Sequence, residues 1–234
     1  MTGVFVVSIA LLATFVAVET RVRFPLIDLS LLRNARFTLL VIAGTVANIA
    51  YVVTVFLSTL NLQQVRGLDP LMAGLAFLGP SGGAALGGPV SGRLAARNKP
   101  FAVMGIGCTV AAVSLAVLAT SHNFVMYLAA LTACGFTMGF VYAFTTVATQ
   151  AVVAPERAGE AAGVTLTSLV TLAGVGVAVS SSVLEVLEHQ GLSTGDGIRA
   201  ILAVIAALLL PAGLAVLAIT RSKNRSPAIE GASS

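Results

Sequence analysis

The sequence predicts an all-α polytopic membrane protein with about seven transmembrane helices, and three observations carry that prediction. The first is composition. Mean hydropathy is +1.00, and 57% of residues are hydrophobic against 9% charged. A soluble domain carries about 25% charged residues, because its core must be covered by polar surface. The second is segmentation. A membrane-crossing helix needs about 20 mostly apolar residues. Seven stretches reach or approach that length: 2–18, 37–60, 70–92, 101–120, 124–150, 161–187 and 198–219. The third is charge placement. Arg21, Arg23, Arg33 and Arg36 follow the first stretch, and Arg93, Arg97 and Lys99 follow the third. Arg157 follows the fifth, and Arg221, Lys223 and Arg225 follow the seventh. These connections alternate, so they share one side, and eleven of the thirteen basic residues lie there; only Arg66 and Arg199 lie opposite. The positive-inside rule makes the crowded side cytoplasmic. The expected N-terminus is outside and the C-terminus cytoplasmic, in an inner or plasma membrane. The net charge of +4 therefore belongs to membrane loops in contact with lipid. It does not form a basic groove, and no nucleic-acid partner is expected.

Residues 1–18 read as a transmembrane linker helix. They do not make a convincing signal peptide, because no basic region precedes the apolar run and the positive charges come after it. Residues 19–36 are a cytoplasmic connector. Leu26, Ile27, Leu29, Leu31 and Leu32 follow Pro25 among charges, which suits a short amphipathic piece in the interface or a plain linker.

Residues 37–220 then form six helices. The stretch 37–60 places Thr45, Asn48, Tyr51 and Ser58 roughly on one face. The stretch 70–92 carries Gly79, Gly83 and Gly87 at four-residue spacing, then Gly88 and Gly92 at the same spacing. Residues four apart share a helix face, and small residues there let a second backbone approach within lipid. Such a face serves static packing or a sliding contact, and the spacing fits both. Pro80 and Pro89 remove backbone donors and favour bends. Cys108 and Cys134 lie in apolar runs without metal-ligand neighbours and read as small packing residues. The stretch 124–150 repeats the glycine spacing with Gly135 and Gly139, and adds Tyr142, Thr145, Thr146, Thr149 and Gln150. The stretch 161–187 has Gly174, Ala178 and Ser182 and leads into Glu185, Glu188 and His189. Residues 221–234 are polar and small, a tail expected to be disordered in the cytoplasm.

Charges inside membrane helices usually mark function because they are costly there. Helices from 37 to 150 hold none at mid-depth. Glu185 is the one candidate, an outer proton site or else a simple interfacial helix end. The neutral residues Thr45, Asn48, Tyr51, Ser58, Tyr142, Thr146 and Thr149 could line a mainly apolar cavity suited to bulky lipophilic molecules. They could equally make interhelical hydrogen bonds. No catalytic residue, cofactor or metal is expected. The run Gly79-Pro80-Ser81-Gly82 looks like a serine-protease motif, but that chemistry needs a histidine within reach. Ser81 would lie about 15 Å deep at 1.5 Å per residue, away from His122 and His189 at the outer turns. A retinal-binding bundle would need a lysine in the last helix, and 198–219 has none.

From Gly92 the chain reads Gly-Arg-Leu-Ala-Ala-Arg-Asn-Lys-Pro. This resembles the cytoplasmic-loop signature of the major facilitator superfamily, G-x-L-A-D-R-x-G-R-R/K. Gly92, Leu94, Ala95 and Arg97 match, and Arg93 fills the open position. Ala96 stands where the family has its acid and Lys99 where it has glycine, so the charge for a latch is lost. Three further stretches resemble the same family in the same order: PLIDLSLLRNARF (25–37), FLSTLNLQQVRGLDPLMAGLAFL (56–78) and VAPERAGEAAGVTLTSLVTLAGVGVAV (153–179). The resemblance implies the six-helix C-terminal half of a fourteen-helix drug:proton antiporter-like transporter, plus one preceding helix. It implies secondary active transport, by proton-coupled efflux of lipophilic small molecules or drugs. The partners it implies are membrane lipid, a small-molecule substrate, and an N-terminal half or second copy that completes the path. Substrate paths in such folds lie between repeats near the midplane. The alternative is a truncated or split product that acts as a membrane partner or assembly module without transport of its own.

Overall fold

A computed structural model describes residues 14, 31, 33–95 and 100–223, with side chains as far as Ala218. The stretch 2–18, most of the connector, Ala96 to Lys99 and the tail beyond Lys223 lie outside the described residues. All the regular structure among the described residues is helical: α1 Ala35–Leu60, α2 Pro70–Ala76, α3 Leu78–Ala95, α4 Pro100–Thr120, α5 Phe124–Ala151, α6 Ala158–His189 and α7 Thr194–Lys223. A π turn, Asn61–Val65, continues α1, and a 3-10 turn, Pro155–Arg157, precedes α6. Counting α2 and α3 as one span, six helices are long and apolar enough to cross a membrane. The chain is an all-α polytopic membrane protein. The last helix runs to Lys223, a few residues past the expected end.

Local chemistry sets the boundaries. Asn34 caps α1, its side-chain oxygen accepting from the amides of Arg36 and Phe37. Asp69 caps α2 and accepts from the Met72 amide at 2.8 Å, with Pro70 in the first turn. Asn123 caps α5 through the Val125 amide at 2.8 Å. These side chains satisfy amides that have no partner within the helix. The break at Phe77 follows from Pro80, which has no amide to give the Ala76 carbonyl and crowds it with its ring. Pro89 and Pro211 stay inside α3 and α7. Gly191, at φ +91°, closes α6, and the Leu192 amide donates back to Leu187 O at 3.1 Å. That left-handed position suits glycine.

In packing order, α3, α5, α1 and α6 form a row, with each helix touching the next. Behind the row, α4 lies on α5 and α7 lies on α4. The core runs through α5 (Leu131, Met138, Phe144), α1 (Leu40, Leu57) and α4 (Met104, Leu115). Half of each apolar span of α1, α4 and α5 is buried, but only 22% of the α2–α3 and α6 spans. The row therefore ends in two largely uncovered helices.

The two ends of the bundle are fixed by contacts. The Asn34 side-chain amide donates to Val152 O at 3.1 Å, which ties the start of α1 to the end of α5. Arg33, Arg36, Arg93 and Arg157 lie at this end. At the other end the Arg66 guanidinium covers the rings of Phe124 and Tyr127. Among the described residues, Arg33, Arg36, Arg93 and Arg157 thus lie at the end opposite Arg66, while Arg21, Arg23, Arg97, Lys99 and Arg225 lie outside the described residues.

Candidate functional site

The polar residues proposed for a cavity lie on α1 and α5, the middle of the row, but they divide into two groups. Thr45, Asn48, Ser58 and Thr149 are buried within helix contacts. Asn48 donates from Nδ2 to the Leu169 carbonyl of α6 at 2.8 Å, so it holds α1 against α6. The hydroxyls of Thr149 and Thr165 lie 3.2 Å apart between α5 and α6. Gly44 admits Thr145 of α5 against the α1 backbone, and Gly176 of α6 admits Ile49. Thr45 Oγ1 is buried without a hydrogen-bond partner among the described residues, while the buried Ser58 hydroxyl neighbours that of Tyr127. Tyr51 and Thr146 are half-buried and Tyr142 is exposed. These three reach the uncovered side. The Thr146 hydroxyl donates to Ala143 O at 2.8 Å and Gln150 Nε2 to Thr146 O at 2.8 Å. The open surface therefore offers two phenols, with hydroxyls and amides turned back onto α5. A mainly apolar molecule needs little more.

The glycines of α3 also divide. Gly79, Gly83 and Gly87 meet Thr132, Phe136 and Phe140 of α5, while Gly135 and Gly139 of α5 meet Pro80 and Ala84. The partners advance by four on both helices, so α3 and α5 run parallel with their small-residue ridges interlocked. A Cβ at Gly83 would lie 2.8 Å from Thr132 O, and one at Gly87 would lie 2.6 Å from Phe140 N. This face is occupied inside the bundle and cannot be the surface on which another half slides. Gly82, Gly88 and Gly92 have nothing within 4 Å of a would-be Cβ and mark the open side. Of the loop signature, Gly92, Arg93 and Leu94 are exposed at the end of α3, and Arg97 lies outside the described residues.

Glu185 is exposed. Its neighbours are knit into the α6–α7 turn. His189 Nδ1 lies 2.8 Å from Glu185 O, Thr194 Oγ1 donates to Glu188 Oε1 at 2.6 Å, and Asp196 pairs with Arg199 at 3.2 Å.

One cluster escapes the sequence reading. At the π turn, Arg66 Nε donates to Asn61 Oδ1 at 3.1 Å. The guanidinium stands 4.8 Å from the Tyr127 ring centroid and 5.3 Å from that of Phe124. A cation over an aromatic face contributes about 0.5–2 kcal/mol, and here it fastens α1 to α5. The available signal was Gly67, whose φ of +67° ends the turn; nothing in Asn-Leu-Gln-Gln-Val announces a π turn.

Comparison with known proteins bears on these features. The family description "Major Facilitator Superfamily" matches residues 1–178. The multidrug resistance protein Stp of Mycobacterium tuberculosis is 32% identical over 177 residues, covering 74% of this chain and 32% of that protein. The multidrug efflux pump LfrA of Mycolicibacterium smegmatis is 32% identical over 120 residues, covering 51% of this chain and 24% of LfrA. The tetracenomycin C resistance and export protein of Streptomyces glaucescens is 29% identical over 117 residues, covering 48% and 21%. The chain thus spans a third or less of the length of these relatives. With six apolar spans, the row of α3, α5, α1 and α6, and a family match over most of its length, the chain belongs to the Major Facilitator Superfamily.

Proposed function

We propose that this chain is one half of a secondary active transporter that exports lipophilic small molecules across the plasma membrane, coupled to protons, with its basic end in the cytoplasm. The observation that carries the reading is the half-open wall. The row is backed by α4 and α7, yet its two end helices are mostly uncovered. A second half would cover that wall and enclose Tyr51, Tyr142 and Thr146. The names of the relatives, which speak of multidrug resistance, efflux and export, support the substrate class. The partner is an N-terminal half or a second copy of this chain. Residues 37–220 serve as the transporter half, 1–18 as a linker helix, 19–36 as the cytoplasmic connector and 221–234 as a tail. The exposure of Glu185 favours its role as a helix end. We therefore assign the coupling proton to a carboxylate outside this chain.

The test is dye export in proteoliposomes under an imposed proton gradient, with this chain alone and with a supplied N-terminal half. Flux is expected once the path is completed, with the supplied N-terminal half or, where a second copy completes it, with this chain alone, and it should be reduced by Tyr51→Ala or Tyr142→Ala. Glu185→Gln should leave flux unchanged, and a loss would move the proton site back to Glu185. A second reading is a membrane assembly module without transport of its own. No flux under either condition would select it.

A further inference from the structure

The transport reading leaves one feature of the bundle unused. A groove of about 300 Å³ runs between α3, α4 and α5. Val90 and Leu94 of α3 and Ile106 and Val110 of α4 form its sides, and Phe136 and Phe140 of α5 form its floor. It exists because α3 rests on α5 and hardly touches α4. The only hydroxyl in it is that of Thr137, which donates to Ala133 O at 3.0 Å within its own helix. Nothing in the lining asks for a polar ligand.

The groove turns away from the wall. On α5, the positions of Phe136, Thr137 and Phe140 lie roughly opposite those of Thr145 and Thr149, at about 100° per residue. The occupant is therefore not the transported molecule on its path between the halves. Along α4 the lining runs from Ala102 to Val110, about 12 Å at the helical rise. One leaflet of hydrocarbon is about 15 Å thick. The groove thus matches one acyl chain in the leaflet that meets the basic end.

At that end stands Arg93, one turn beyond Val90 and next to Leu94. It is exposed, and no described carboxylate pairs with it. A second groove, of about 260 Å³ between α4 and α7, is equally apolar. The arginine one turn before its Ala203, Arg199, is already paired with Asp196 at 3.2 Å.

We propose that the groove between α3, α4 and α5 seats an acyl chain of an anionic phospholipid, whose phosphate is held by Arg93. This stands independently of the transport reading. The chain contains no tryptophan, so a single introduced one reports locally. Ile106→Trp and Val110→Trp, both at exposed positions, place reporters in the groove, and Val113→Trp places one in the second groove. The full chain is reconstituted in vesicles of brominated phosphatidylglycerol or brominated phosphatidylcholine, and quenching gives relative occupancy. One basic residue at the membrane surface favours an anionic lipid about fivefold. Both groove reporters should show that preference. Val113→Trp, and either groove reporter combined with Arg93→Gln, should show none. Equal quenching by the two lipids at either groove reporter, the same preference at Val113→Trp, or a preference that survives Arg93→Gln would overturn the assignment.

Discussion

Asn48 shows what a polar residue does when water is absent. Its amide reaches the Leu169 carbonyl of α6 at 2.8 Å, a bond between neighbours rather than a contact for a passing molecule. Interhelical bonds of this kind contribute about 0.6 kcal/mol on average and at most about 1.7. Asn48→Ala should therefore loosen α6 from α1 by that modest amount, measured as a shift in denaturant unfolding in mixed micelles. Loss of the whole fold would mean that Asn48 does more than this bond. Arg66 is the sharper case. Arg66→Gln removes the cation from both rings and should cost about 0.5–2 kcal/mol in the same measurement. Arg66→Lys should recover part of it. Both residues were visible in the sequence as a polar residue in a span and a basic residue in a loop. Their partners, a backbone carbonyl 121 positions away and two ring faces, depend on helix rotation and could not be read there.

At the scale of the helix, glycine spacing proved legible in kind and ambiguous in use. The four-residue step of Gly79, Gly83 and Gly87 announces a close neighbour, and α5 is that neighbour. The same step in Gly88 and Gly92 looks identical in sequence, yet that side is empty. Spacing fixes which residues share a face but not which face is covered. The distinction is testable. Gly83→Leu drives a side chain into the α5 backbone and should destabilise the bundle by about 1–3 kcal/mol or more. Cys108 and Cys134 are both buried and free, so their labelling by a thiol reagent should speed up in that variant. Gly88→Leu should leave labelling unchanged and, if a second half docks on that side, abolish flux in the completed transporter. Helix ends were legible to within a few residues because apolar runs, asparagine caps and prolines mark them. The joint at Phe77 was harder, since two short helices and one bent helix share the same hydropathy.

For the molecule as a whole, composition and charge alternation were enough for the class, the six described spans and the two ends of the bundle. They were not enough for the order of packing, because a lipid-facing valine and a buried one are chemically alike. That order has a consequence for biosynthesis. Helix α3 rests almost entirely on α5, and α5 ends roughly 60 residues further along the chain. At about 5–20 residues per second, α3 must wait some seconds in the bilayer before its neighbour is made. Through that interval its row of glycines lacks the α5 backbone it packs on in the finished bundle, and Pro80 and Pro89 leave backbone carbonyls short of donors. A nascent chain halted before α5 should therefore hold α3 poorly, detectable as its slippage out of the membrane in a glycosylation-reporter assay. Extending the chain through Ala151 should lock it in place. The parallel pair that gives the finished bundle its tightest joint is also the step at which its assembly is most exposed.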